Sequence, residues 1–290
     1  MFDSFQNSVK MSMTLVPDGP LLLRSQNARL DPAIADVEFM RTRRDGQSTV
    51  YIPGSSIKGV VRAHTERLLK SGKRFVCDPT NHRDEHACGR FARHRPKTDY
   101  PHGGQCPACF TWGSLKLAGR FRFGDGYPPT DLTEAANRTE VRTGVGINRN
   151  MQAAQTGVLY DTEVVTGGGF AVTLSGENFD LWQLGLAAQA LRDLDDGFFQ
   201  VGGCKSRGMG AVRVRDMVLV YRSLNAKPFF LAGASSDKYG LQGSGLDIKT
   251  GEGVEHRQAG IFHEIVCKGE ALERLFDSLC DGPLRQYLNG

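Results

Sequence analysis

The chain has 290 residues, enough for one large domain or two small ones. Hydrophobic residues make up 40% and charged residues 23%, the composition of a soluble globular protein, and the longest apolar runs are far too short to cross a bilayer. The formal net charge of +4 is only mildly basic, so its meaning depends on where the cations cluster.

Residues 1–25 lack the basic start and continuous apolar core of a secretory signal, so a cytoplasmic location is the expectation. Seven cysteines, an odd number without such a signal, argue against a disulfide framework. Thirty-five glycines imply many turns or close backbone approaches.

Residues 8–16, Ser-Val-Lys-Met-Ser-Met-Thr-Leu-Val, alternate apolar and polar side chains and predict a half-buried strand, stopped by Pro17-Asp18-Gly19-Pro20. Residues 24–50 show no periodicity. They mix Arg24, Arg29, Arg41, Arg43 and Arg44 with Asp31, Asp36, Glu38 and Asp45, and read as a long polar loop of the kind that is functional or disordered. One carboxylate from this loop, placed beside bound RNA, can organise a metal ion or a water and promote attack of the 2′-hydroxyl on the phosphate. Spacing does not choose among the four acids.

Tyr51-Ile-Pro-Gly-Ser-Ser-Ile-Lys-Gly-Val-Val-Arg62 reads as an extended segment, a Pro53-Gly54 turn and the start of a helix over roughly 56–71. Ser55 or Ser56 is the expected N-cap. Ile57, Val60, Val61 and Leu68 mark an apolar face, and Lys58 and Arg62 lie four apart on another. Free N–H groups in a first helical turn suit a phosphate. The simpler reading is a capped helix with a solvated basic face. His64 falls near the apolar face and reads as a buried structural histidine rather than a catalytic one.

Residues 73–112 have no helix or strand period and cannot build a core of their own, so they need a staple. Cys106-Pro-Ala-Cys109 is a CxxC knuckle whose two thiolates can reach one tetrahedral ion. Cys88 and Cys77 lie 18 and a further 11 residues upstream. These four cysteines predict a closed structural Zn²⁺ site, with His82, His86, His94 and His102 as rivals for one position. Redox chemistry at the CxxC fits less well, since no strand leads into it and no helix clearly follows. Cys204, Cys267 and Cys280 read as ordinary thiols.

Residues 119–124 alternate as a strand and 126–136 are turn-rich. Residues 138–168, with Arg138, Arg142 and Arg149, read as an exposed hairpin, basic in its first half and able either to meet nucleic acid or simply to be solvated. A strand follows at 170–175, then a helix at 180–194 with Leu181, Leu184, Ala188, Leu191 and Leu194 buried and Asn178 or Asp180 as N-cap. Gly202-Gly-Cys-Lys-Ser-Arg-Gly-Met-Gly210 precedes a strand at 211–220, which excludes a dinucleotide fingerprint. No GxxxxGK[ST] run is present either. It reads as a backbone able to approach a ligand closely, with Lys205 and Arg207 supplying charge, or as a tight structural turn. Residues 223–260 are loop-rich, 260–267 suit a strand and 270–281 a helix. This order predicts an α+β fold, most simply a ferredoxin-like sheet with both main helices on one face.

Taken together, the 51–62 stretch, the Cys-Pro-Ala-Cys pair closing an insertion and the 202–210 loop resemble the RAMP superfamily of CRISPR-associated proteins, and specifically the backbone subunits of type III effector complexes. The resemblance covers about residues 8–220. It implies a ferredoxin-like (RRM-like) core over 1–222, carrying a zinc-bound insertion at 73–112 and a thumb-like hairpin at 138–168. Residues 223–290 would be a C-terminal extension packing on the core or on a neighbouring subunit. It further implies a filament of subunits, copies of this chain or related ones, along a guide RNA paired with target RNA. In that setting Gly54, Ser55, Ser56, Lys58, Arg62, Lys205, Ser206, Arg207, Arg142 and Arg149 are the expected RNA contacts.

Cleaving members use an aspartate between the first strand and first helix together with a divalent metal, Mg²⁺ or Mn²⁺. Asp36, five residues before Arg41, matches that position best, with Asp31 as its rival. Two departures from the family pattern are visible: Asp36-Val-Glu-Phe-Met-Arg41 lacks the usual Asn-Pro, and Phe110-Thr-Trp-Gly113 replaces a Leu-Phe-Gly run. The alternatives are a non-cleaving scaffold subunit and a metal-independent guide-processing RNase using His64. A zinc hydrolase would need an open metal position, which four available cysteines oppose.

Overall fold

The computed structural model describes residues 4–25, 35–81, 86–88, 99–225 and 227–289. Asp31, Arg29, His82 and His94 therefore lie outside the described residues. The first half runs β1 (Asn7–Pro17), β2 (Arg41–Arg44), β3 (Gln47–Val50), α1 (Gly54–Ser71), α2 (Pro107–Trp112), β4 (Phe121–Phe123) and α3 (Thr133–Asn137). A long hairpin follows, β5 (Thr139–Asn148) and β6 (Ala153–Val165), then β7 (Phe170–Glu177), α4 (Leu181–Asp195) and β8 (Val212–Ser223). The remainder holds β9 (Phe230–Ala232), β10 (Ser235–Ser236), β11 (Leu241–Gln242), β12 (Gly245–Asp247), β13 (Val254–Ala259), β14 (Phe262–Lys268), α5 (Glu270–Leu279) and α6 (Arg285–Asn289).

The main sheet is six-stranded and antiparallel, in the order β13-β14-β8-β1-β7-β4. Alternation in β1 explains its central place. Val9, Met11, Met13 and Leu15 are buried toward α1 and α4, while Lys10 and Ser12 are exposed on the other face. Period-two patterning works because successive side chains point to opposite faces. The chain passes from β1 through α1 to the β4 edge, returns on β7 beside β1, and crosses through α4 to β8 on β1's other side. β14 then pairs with β8, and α5 packs against α4.

Helix α4 begins where its composition predicts. Asp180 is the N-cap, accepting from Leu181 N–H at 2.8 Å, and Gln183 returns its side-chain oxygen to the Asp180 N–H at 3.0 Å. Helix α1 differs from expectation. It starts at Gly54 after Pro53, with no side-chain cap from Ser55 or Ser56. The Gly54 N–H instead donates to Asp125 Oδ1 at 2.8 Å, so a carboxylate distant in sequence takes the capping role. Gly54 is required because a Cβ there would lie 2.4 Å from the Phe123 carbonyl oxygen. Leu69, not Leu68, completes the buried stripe.

Residues 35–50 are not an unstructured loop. Arg41–Val50 forms a hairpin whose Asp45-Gly46 turn has φ of 51° and 81°. Upstream, Val37 exchanges backbone bonds with Asp161 and Glu163 of β6, Met40 donates to Leu23, and Phe39 is buried. The loop-rich region after β8 likewise holds the short pairs β10–β11 and β9–β12.

On the sheet face away from the helices, Glu264 is 1% exposed and bridges Arg222 and Arg257. Burial alone would raise its carboxyl, but the two guanidiniums, Arg257 first, hold it below the usual range. A lowered folded-state value stabilises the fold above the unfolded carboxylate pKa, and that contribution is lost as pH falls through the folded value. Glu264→Gln is expected to cost about 2 kcal/mol at neutral pH, below the usual loss for a broken buried pair because both arginines are half in water. Urea midpoints for the two proteins, measured from pH 7 down to pH 3, should converge at the acidic end. A constant gap would show that the charge pair is not its source.

Candidate metal centre and nucleic-acid interface

The metal centre is built from the short helix α2, which starts inside the CxxC. Cys106 is its N-cap and Cys109 lies within it. The helix was not evident from sequence, where nothing clear followed the CxxC. The sulfurs of Cys77, Cys88, Cys106 and Cys109 lie within 4.8 Å of one another, all four residues buried. Cys77 Sγ is 3.5 Å from Cys109 Sγ and 3.7 Å from Cys106 Sγ. A zinc–sulfur bond of about 2.3 Å in a tetrahedron places its sulfurs roughly 3.8 Å apart, so the set fits one ion. A disulfide would need about 2.05 Å. Hydrogen bonding from the Cys109 thiol first, then from Cys77 and Cys88, drives the Cys106 thiol strongly down, while the same interactions raise Cys109 and Cys88. The four cysteines can hold a metal ion such as zinc.

His102 is not a fourth-ligand rival. Its Nδ1 meets the Tyr239 carbonyl at 2.9 Å and its Nε2 meets the Tyr287 hydroxyl at 3.0 Å, while burial pushes it down to about 4. Among the described residues of 73–112 the buried side chains form no separate core. The four cysteines, Tyr100 and Phe110 share a cluster with Leu69 of α1, Trp182 and Leu186 of α4, and Tyr239.

Arg62 belongs to this centre. Its Nη2 donates to Cys109 Sγ at 3.2 Å, Nη1 to the Gly113 carbonyl at 2.8 Å and Nε to Glu66 at 2.7 Å. Burial opposes its charge, but Glu66 and Cys109 more than compensate and raise it. Helical spacing put Arg62 on the face of Lys58; it could not show that the guanidinium turns to a sulfur 47 residues away.

The second site gathers around the glycine-rich loop. Gly202 φ is 86°, and a Cβ there would sit 2.1 Å from the Leu22 carbonyl, so the loop lies flat on residues 20–23. Lys205–Arg207 forms a single tight turn. Arg207 bonds the Tyr160 hydroxyl of the β5–β6 hairpin. Burial and then Arg67 of α1 push the Lys205 ammonium down; burial and then Arg62 do the same to Lys58. Cations crowded by neighbouring cations are stabilised by an anion laid across them. Ser206 is exposed on the same turn, and Arg142 and Arg149 are exposed on the hairpin.

Asp36 is exposed, and its Oδ2 accepts the Asp161 N–H at the hairpin root, 2.9 Å away. Among the described residues Oδ1 has no hydrogen-bond partner. The structure therefore brings Asp36 and Arg207 to neighbouring residues of one hairpin, and sets Lys205, on the Arg207 turn, near Arg67 of α1. It directs Arg62 elsewhere and leaves Gly54 buried with its N–H engaged. In the first turn of α1, Ser56 and Ile57 also donate to the Pro53 carbonyl, so Ser55 offers the exposed hydroxyl. Tyr160, Asp161, Arg67 and Asp125 were missed, since only tertiary pairing brings them to these sites. His64 is buried between Asp193, Arg67 and the Phe199 ring, as a structural histidine.

The chain is a mixed α/β protein with a mainly antiparallel sheet, four buried cysteines able to hold one metal ion, and a basic turn set against one hairpin. The model of the RAMP superfamily matches residues 33–213, most of the chain, and the chain belongs to that superfamily. RAMP proteins are CRISPR-associated and as a family bind RNA and other CRISPR subunits. No curated protein matches the chain. No helix among the described residues is long and apolar enough to cross a membrane.

Proposed function

We propose that this chain is a guide-RNA-binding backbone subunit of a type III CRISPR ribonucleoprotein and that it cuts the paired target RNA at Asp36 with Mg²⁺ or Mn²⁺. On this reading the strands β8-β1-β7-β4 with α1 and α4 are a ferredoxin-like core within residues 1–222. The β5–β6 hairpin is the thumb, residues 73–112 are a zinc-bound insertion, and residues 223–290 are an extension. The observation that carries the proposal is that Asp36 and Arg207 meet neighbouring hairpin residues, Asp161 and Tyr160, with Lys205 on the same tight turn as Arg207. Phosphates would lie along Ser55, Lys58, Lys205, Ser206 and Arg207, with Arg142 and Arg149 reaching further along the strand. Base pairing between guide and target would carry the sequence information.

Binding of a guide-length RNA, followed against salt, tests the interface. Replacing both Lys205 and Arg207 by alanine should weaken binding to every sequence alike and lower the salt slope by about 2. An unchanged slope would remove the loop from the interface.

A scaffold without chemistry is the second reading. It is favoured by the structural duty of Asp36, whose carboxylate pins the Asp161 amide. The metal-independent RNase reading is set aside, because both His64 ring nitrogens face protein partners.

A further inference from the structure

A second planar surface lies beside the start of α1. The rings of Tyr51 and Tyr127 stack, with centroids 5.8 Å apart and planes 15° apart. The Arg44 guanidinium lies 4.8 Å from the centre of the Tyr127 ring. Arg44 sits at the tip of the β2–β3 hairpin, next to the Asp45-Gly46 turn, and its side chain is 55% exposed. Tyr127 is placed from the other side by an antiparallel bridge to Ala171. Its hydroxyl reaches toward Asp125 Oδ2 at 3.4 Å, the same carboxylate that accepts the Gly54 N–H.

A groove of about 660 Å³ runs along this stack, between the hairpin tip and Pro128–Thr133. Its walls carry Gln47 and Ser48, both exposed, and Thr130. The surface thus combines the Tyr127 ring, an exposed guanidinium lying over it, the exposed Asp45 carboxylate and a few amide and hydroxyl groups. Aromatic faces stack any base, arginine planes cover the opposite side, and short polar chains meet base edges. A duplex offers no free base face to such a groove.

We propose that the Tyr127–Arg44 stack and its groove are a binding site for one unstacked nucleobase of single-stranded RNA. The inference rests on the RNA-binding reading above and adds to it a site at the opposite end of α1 from Arg67 and Lys205. The base would lie on the Tyr127 ring, and Arg44 would close over it or move to the adjoining phosphate.

The test uses the full chain and a fluorescein-labelled single-stranded RNA of mixed sequence, with a blunt double-stranded RNA as comparison. Tyr127→Leu, which keeps apolar bulk, should weaken single-strand binding about tenfold and leave duplex binding unchanged, whereas Tyr127→Phe should bind as the parent does. A Tyr127→Leu chain that binds the single strand at parental affinity overturns the proposal and leaves the RNA-binding reading standing. A parent chain that binds neither RNA overturns both. Photocrosslinking of 4-thiouridine-substituted RNA to the unmodified chain gives an answer independent of variant folding. Adducts on the peptides carrying Tyr127 or Arg44 are expected, and labelled peptides confined to other segments would dismiss the site.

Discussion

A chain carrying both Cys106→Ser and Cys109→Ser is expected to lose the metal ion that the four cysteines can hold, zinc by their chemistry, and to loosen the residues packed around them. Free-standing zinc peptides derive on the order of 10 kcal/mol from the ion. The effect here should be smaller, because Cys77, Tyr100 and Phe110 also pack on Leu69, Trp182 and Leu186. It should still be large locally. Serine oxygens are poor replacements for thiolates, and Arg62 would lose the sulfur it now faces. Native mass spectrometry should find one zinc ion in the parent and none in the variant. Hydrogen exchange should show faster opening at Cys77, Ala87–Cys88 and Tyr100–Gly113, and slower exchange retained in β1, β7 and β8. The core strands should survive because their cluster is built from other residues. Retention of one zinc ion per chain in the double variant would exclude these thiolates as ligands.

The second large effect concerns Asp36. If the chain cuts RNA, Asp36→Asn should slow cleavage by roughly 10²–10⁴-fold, the range associated with a lost acid–base group. Asparagine keeps an oxygen to accept the Asp161 N–H, so the hairpin root should stay in place and RNA affinity should stay near parental. Alanine removes both the chemistry and the tether, so comparing Asn with Ala separates the two roles. EDTA should stop the parent's cleavage, and Mg²⁺ or Mn²⁺ should restore it. Parental cleavage by Asp36→Asn would move the chemistry to another group. A parent chain that binds a matched guide and target and never cuts them would establish the scaffold reading.

Much of the fold could be read from local periodicity. β1, β7 and β8 alternate, and α1, α4 and α5 carry apolar residues every three or four positions, so each announces its buried face. What escaped depended on partners far along the chain. The Arg41–Val50 hairpin is written in Arg, Thr, Gln and Ser, and its Asp45-Gly46 turn was the one local sign of it. The cap of α1 comes from Asp125, 71 residues on, which no capping pattern near Ser55 could reveal. The metal centre was legible for a different reason: one ion restricts thiolates to few spacings, and CxxC is among them. Spacing did not single out Asp36; it was preferred to Asp31 only because the family resemblance places an aspartate before the Pro-Gly-Ser-Ser turn. The tether of Asp36 to Asp161 required the parallel bridge between Val37 and Thr162.

The β5–β6 hairpin carries Val141, Val145, Ile147, Met151, Val158 and Leu159 exposed, with Arg142 and Arg149 among them. A two-stranded ribbon of this kind is marginal alone in water. Covering its apolar side chains on assembly would make the heat capacity of association negative, so affinity at this hairpin would vary with temperature as well as with salt. The same hairpin would thus answer to two different variables: temperature through water released from Val145 and Leu159, and salt through counterions released at Arg142 and Arg149.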